Sequence, residues 1–187
     1  MAVINLTPND DTRNDSTDSN TINALAGDDV VAGKGGNDII NGGPGDDTLS
    51  GDSGRDTLNG GEDADTLSGG SGVDRLVGGA DDDRLTGGGA NDIFVFDTEE
   101  VGDVIADFQR GDKIDLQAID ANTLVALDQA FVSVTASDVL GGVQTLNFFS
   151  EDQNTIVQGN TDADTDVEFQ VVLENFSGNL TLADFIA

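Results

Sequence analysis

Eight aspartates stand nine residues apart: Asp29, Asp38, Asp47, Asp56, Asp65, Asp74, Asp83 and Asp92. Carboxylates in strict register are what a hard divalent cation requires. Calcium takes six to eight oxygen ligands at roughly 2.3–2.6 Å and accepts backbone carbonyls among them. Two residues after each aspartate comes an apolar residue: Val31, Ile40, Leu49, Leu58, Leu67, Leu76, Leu85 and Phe94. Competing chemistries drop out on composition. The chain has no histidine and no cysteine, which removes zinc sites of the usual kinds, thiol redox chemistry and the serine triad. With 37 acidic against 7 basic residues and a net charge of −30, no basic face exists for phosphate backbones or anionic lipid.

The period of nine dictates the elements. Units begin at Ala24, Gly33, Gly42, Gly51, Gly60, Gly69, Gly78 and Gly87, with aspartate sixth and the apolar residue eighth. Nineteen of the 25 glycines lie between Gly27 and Gly89, so the tight turns belong to this segment. Each unit reads as a glycine-rich turn followed by a short strand with one inward apolar side chain. The pattern resembles the RTX calcium-binding repeat, and this resemblance implies that two units make one coil of a parallel β-roll with two sheets and two columns of turns. One column holds Asp29, Asp47, Asp65 and Asp83, the other Asp38, Asp56, Asp74 and Asp92. Successive carboxylates then lie about one strand spacing apart, ~4.8 Å, where two unscreened charges repel by about 1 kcal/mol even in water. One apolar residue in nine gives a core too thin to hold such a stack, so the cation becomes part of the fold. Each column of four has three gaps, which makes about six calcium ions the simplest count.

Departures from the pattern are local. Asp63, Asp81 and Ala90 stand at the fourth position, and Leu25, Lys34 and Asp52 at the second. Asp63 and Asp81 must adopt a glycine-like turn or weaken their sites. Upstream, Asn20 with Ile22 fits as a degenerate unit. Asp11 fits too, but Arg13 then takes the apolar slot, so the roll is expected to start between them, with residues 1–23 as an N-terminal cap and 24–95 as the roll.

The pattern G-G-x-G-x-D-x-U-x resembles the RTX calcium-binding repeat. The stretch Asp103-Val104-Ile105-Ala106-Asp107-Phe108-Gln109-Arg110-Gly111-Asp112-Lys113-Ile114-Asp115-Leu116 resembles the segment after those repeats in the serralysin-type C-terminal domain, which is similar to the R-modules of mannuronan epimerases. Asp128 to Phe131, Val167 to Leu173 and Leu180 to Ile186 match later parts of it. The resemblance implies that carbonyls of the first four repeat positions join the aspartates as ligands: Gly27, Gly33, Gly35, Gly36, Gly42, Gly43, Gly45, Gly51, Gly54, Gly60, Gly61, Gly69, Gly70, Gly72, Gly78, Gly79 and Gly87. It implies an acidic residue beyond the repeats, Asp97 or Glu99, that closes the last site. It also implies secretion through a type I ABC transporter, read from a C-terminal signal. The family's zinc protease and epimerase domains have no counterpart here, so no catalytic residue carries over and no enzyme is expected.

After Gly89 the pattern changes to alternating strands, at Ile93 to Phe96, Val104 to Phe108, Phe131 to Val134, Phe148, Ile156 and Val167 to Leu173, with short helical turns at Leu116 to Ala121 and Leu182 to Ile186. Residues 96–187 read as a β-sandwich-like cap continuing the roll. Asp112 and Asp115 are either turn residues or ligands of a further ion. Asp162 to Asp166 begins like an EF-hand loop but lacks its glycine and final glutamate; a polar hairpin and a minor calcium site both remain open. Gly51-Asp52-Ser53-Gly54 has the look of a nucleophile motif, but it sits in repeat phase and the chain has no histidine to serve it. The function expected is a secreted calcium-binding protein that folds on meeting calcium. The alternative is a binding module that holds anionic polysaccharide or a cell surface through calcium. Neither nucleic-acid binding nor membrane insertion is expected.

Overall fold

The computed structural model describes residues 1–97, 101–118, 133–135, 145–160 and 169–186. One apolar side chain per nonapeptide, followed by a glycine turn, builds a two-sheet solenoid of about six coils. The first sheet runs in the order β1 (Val3–Asn5), β3 (Thr21–Asn23), β5 (Ile39–Pro44), β7 (Thr57–Glu62), β9 (Arg75–Gly79), β11 (Ile93–Val95), β13 (Lys113–Asp115) and β18 (Phe185–Ile186). The second starts with β2 (Thr12–Asn14), β4 (Val30–Ala32), β6 (Thr48–Ser53), β8 (Thr66–Ser71), β10 (Arg84–Gly89) and β12 (Val101–Ile105). It continues through β17 (Phe169–Leu173), β16 (Asn154–Asn160) and β15 (Thr145–Glu151) to β14 (Ser133–Thr135).

Within the roll every pairing is parallel and joins residues eighteen apart, as in Ile22↔Ile40, Ile40↔Leu58 and Leu49↔Leu67. Strands of three to six residues suffice because each projects a single side chain inward. Val31, Ile40, Leu49, Leu58, Leu67, Leu76, Leu85 and Phe94 are all at most 1% exposed. Beyond the repeats the same core continues in register, with Leu85↔Ile105↔Leu173 in one sheet and Phe94↔Ile114↔Phe185 in the other.

The ladder also reaches further upstream than the sequence reading, which starts the roll between Asp11 and Asn20. β1 pairs with β3 and β2 with β4, so coiling begins at Val3. Arg13 does occupy an inward slot, opposite Val31, and its guanidinium reaches Asp15 at 3.0 Å. Backbone pairing needs no side chain, and an ion pair at the open end replaces the missing apolar contact.

The C-terminal part continues both sheets. β17 lies parallel to β12, and β15, β16 and β17 form an antiparallel meander. Of the helical turn expected at Leu182 to Ile186, Leu182–Asp184 is a 3-10 turn, while Phe185–Ile186 is strand β18. Gln117 and Ala118 are helical, Leu116 ahead of them is buried and not helical, and Ile119 to Ala121, Asp128 to Phe131 and Asp162 to Asp166 lie outside the described residues. Among the described residues no helix is long and apolar enough to cross a membrane.

Candidate metal centre

The turns have one repeated geometry. Positions two and four of every unit have positive φ, the region glycine enters without strain. The six departures conform: Leu25, Lys34 and Asp52 at position two, and Asp63, Asp81 and Ala90 at position four, all have φ between 67° and 96°. Asp63 and Asp81, at 73° and 72°, thus take the glycine-like turn. Each such residue stores strain of order 1 kcal/mol or more. Gly54 shows why the glycines matter. Its φ is +143°, and a Cβ there would fall on the carbonyl oxygen of Gly36 one coil earlier.

The sixth-position aspartates stack as two columns. In the first, Asp29 N–H donates to Asp47 Oδ1, Asp47 N–H to Asp65 Oδ1, and Asp65 N–H to Asp83 Oδ1, each at 2.8 Å. In the second, Asp38 donates to Asp56 at 2.7 Å, Asp56 to Asp74 at 2.8 Å, and Asp74 to Asp92 at 2.9 Å. One oxygen of each carboxylate therefore stitches the coils together. The other is a different matter. Oδ2 of Asp29, Asp38, Asp47, Asp56, Asp65, Asp74 and Asp92 is buried and has no hydrogen-bond donor. A buried acceptor without a partner costs about 1–3 kcal/mol, more when charged, and here the unpartnered oxygens repeat at every coil.

Backbone oxygens converge on these atoms. The first glycine of a unit faces Oδ2 of its own aspartate and a carbonyl of the next coil: Asp38 Oδ2 with Gly51 O around Gly33, and Asp74 Oδ2 with Gly87 O around Gly69. The same pairing recurs with Gly60 O at Gly42, Gly69 O at Gly51 and Gly78 O at Gly60. Carbonyls of Gly27, Gly36, Gly43, Gly54, Gly61 and Gly70 lie against the positive-φ glycines of the following coil. Among the described residues no three carboxylates meet at one point, so any cation held here takes much of its shell from carbonyls. That donor set, all oxygen and part carbonyl, suits calcium. Burial pushes the carboxyls up from their ordinary 3.8, to about 6 for Asp47, Asp56 and Asp92 and to about 7 for Asp65, with neighbouring aspartates adding to the rise. These groups carry charge only at a cost that a cation would offset.

Beyond the repeats, the next rungs are Asp103 and Asp112. Asp83 N–H donates to Asp103 Oδ1 at 2.9 Å and Asp92 N–H to Asp112 Oδ1 at 3.0 Å. The step is twenty residues instead of eighteen, which hides Asp103 from a search for the period. The structure brings Asp112 into a column. Asp115 lies on β13 and takes Arg75 Nη1 at 3.1 Å. Asp97 is exposed after β11, and Glu99 lies outside the described residues. Upstream, Asp11 N–H joins the first column through Asp29 Oδ1 at 2.6 Å, and Asn20 N–H joins the second through Asp38 Oδ1 at 2.7 Å.

Residues 7–98 match the family of the RTX calcium-binding nonapeptide repeat, in overlapping blocks at 7–40, 14–49, 33–67, 41–76 and 68–98. The chain carries RTX calcium-binding repeats. No curated protein matches it. Among solved structures, the AlgE6R2 subunit of the Azotobacter vinelandii mannuronan C5-epimerase is 26% identical, with a TM-score of 0.52 over 79% of this chain and 89% of that one. The AlgE6R3 subunit of the epimerase is 22% identical, with a TM-score of 0.34 over 95% of this chain and 78% of that one. The extracellular lipase LipA of Serratia marcescens is 13% identical, with a TM-score of 0.33 over 97% of this chain and 39% of that one. The RTX roll here thus has the architecture of an epimerase R-subunit.

Proposed function

We propose that this protein is a secreted, non-enzymatic calcium-binding RTX protein whose roll folds when calcium enters the gaps between stacked turns. The observation that carries this reading is the row of buried Oδ2 atoms without donors, facing carbonyls of the next coil. The sites are formed by Asp29, Asp47, Asp65 and Asp83 in one column and Asp38, Asp56, Asp74 and Asp92 in the other, with turn carbonyls completing each shell. Asp103 and Asp112 lengthen each column to five carboxylates. Asp112 Oδ2 is held by Gln109 N–H, so the extension adds only the Asp83–Asp103 gap and the expected count rises from about six ions to about seven. Without the cation the carboxylates repel, and the thin core does not offset the entropy of ordering the turns.

Extracellular calcium modules bind at roughly 10⁻⁴–10⁻³ M. Such affinity keeps the chain unfolded where calcium is scarce and folds it outside the cell. This suits export of an extended chain through a type I transporter. The test is far-UV circular dichroism in EDTA and in millimolar calcium, with calorimetry for stoichiometry. Equal strand signal in both conditions would overturn the reading. Export is tested separately, by expressing the chain with and without a type I exporter and assaying the medium.

The likeness to an epimerase R-subunit favours a second reading, a module that holds anionic polysaccharide through calcium bridges. Retention on an alginate column in calcium, absent on a neutral polysaccharide column in the same calcium, would support it.

A further inference from the structure

The columns end differently from the way they run. At Asp29, Asp38, Asp47, Asp56, Asp65, Asp74 and Asp92 Oδ2 is buried without a donor. At the ends the corresponding atom is satisfied by the chain. Asp11 Oδ2 accepts Thr7 N–H at 2.8 Å and Thr7 Oγ1–H at 2.7 Å. Asp112 Oδ2 accepts Gln109 N–H at 2.8 Å, while Gln109 Nε2 donates to the carbonyl of Gly88 at 2.8 Å.

Asn20 goes further. Its Oδ1 accepts Ala2 N–H at 2.8 Å, the task every aspartate Oδ1 performs along the column. The second atom of its side chain is nitrogen. Asn20 Nδ2 donates to Asp18 O at 2.8 Å and Asp15 Oδ2 at 2.9 Å, with Ser16 Oγ at 3.4 Å. A backbone carbonyl, a carboxylate and a hydroxyl oxygen thus converge on an amide that is 5% exposed. These are calcium-type ligands gathered around a nitrogen.

We propose that Asn20 is a built-in surrogate for the cation: its –NH₂ donates to the Asp18 carbonyl, whose counterparts at Gly36 and Gly54 lie between the interior turns, and to Asp15 Oδ2, a carboxylate that this turn adds, so the N-terminal turn closes without metal and the ion column stops there. The idea rests on the calcium reading of the interior turns, and it adds that the ladder has fixed ends. An amide donor and a cation answer the same need, since both satisfy a ring of oxygens that burial has deprived of water. The amide satisfies it permanently and neutrally; the cation does so only when it is present. Asp15 and Asp18 flank the turn, so ligands for an ion are at hand once the nitrogen is removed.

The test uses the full chain, wild type and Asn20→Asp, crystallised in calcium and again with a lanthanide that scatters anomalously, beside calorimetric stoichiometry. The expected wild-type map has peaks at the interior rungs and none in the turn of residues 15–20. Asn20→Asp gains one peak there and one ion in solution. A peak at that turn in the wild type would overturn the proposal. So would an Asn20→Asp roll with its interior peaks intact and no added ion. Should the variant not fold, the wild-type map decides alone. Empty interior rungs in the wild type would instead sink the calcium reading, so the two failures are distinguishable.

Discussion

Replacing Asp65 by Asn at the middle of the first column separates the two roles of a rung. Asp65 Oδ1 accepts Asp47 N–H at 2.8 Å, and Asn can keep that bond. Its Oδ2 is buried without a donor, and in Asn that atom becomes an –NH₂. In calcium the variant loses at least one site. With a dissociation constant of roughly 10⁻⁴–10⁻³ M and about 10 mM calcium, mass action gives about 1.4–2.7 kcal/mol per site. In EDTA neither protein holds the roll at neutral pH, so the comparison is made across a calcium titration. The assay is urea unfolding in calcium together with calcium-driven folding without urea, both followed by circular dichroism, with Glu62→Gln as an exposed acid three residues away. The reasoning fails if Asp65→Asn costs no more than Glu62→Gln in calcium, or if its folding midpoint in a calcium titration matches that of the wild type.

Three further outcomes are expected. Carboxyls whose folded pKa lies above the ordinary value stabilise the metal-free roll below about pH 4 and lose that contribution as pH rises through 6 to 7, so strand signal in EDTA should grow as pH falls across this window while calcium affinity weakens; a flat pH titration in EDTA would contradict it. Gly54→Ala puts a Cβ on the Gly36 carbonyl at φ +143° and should cost more than about 1 kcal/mol and weaken calcium binding, whereas Gly35→Ala, whose nearest neighbour is at 3.7 Å, should be tolerated by both calorimetry and urea unfolding. Leu67→Ala empties a fully buried slot in the middle of the core and should cost about 2–5 kcal/mol in calcium-loaded protein, read as the shift in urea midpoint.

What the sequence disclosed depended on strict periodicity. Eight aspartates and eight apolar residues in phase sufficed to place both columns, the two sheets and the inward face, because each rung depends only on residues eighteen away. Where the step lengthens to twenty, at Asp103 and Asp112, that signal ends. Asp103 is then legible only through the backbone bond it accepts. The first N-terminal coil was hidden for the opposite reason: Arg13 breaks the residue pattern while backbone pairing carries on beneath it. The partnering of β12 with β17, some seventy residues later, is a long-range docking of one apolar strand on another, which no local pattern encodes.

The even eighteen-residue spacing of the rungs has a mechanical side. Each coil touches only the coil before and the coil after, so the roll is a row of equal links. Pulled from its two ends, such a row yields one link at a time, paying out on the order of 60 Å of extended chain per coil. If calcium fastens each link, as proposed above, the force needed to part it follows the composition of the surrounding fluid, and a single unchanging chain would be slack in one medium and taut in another.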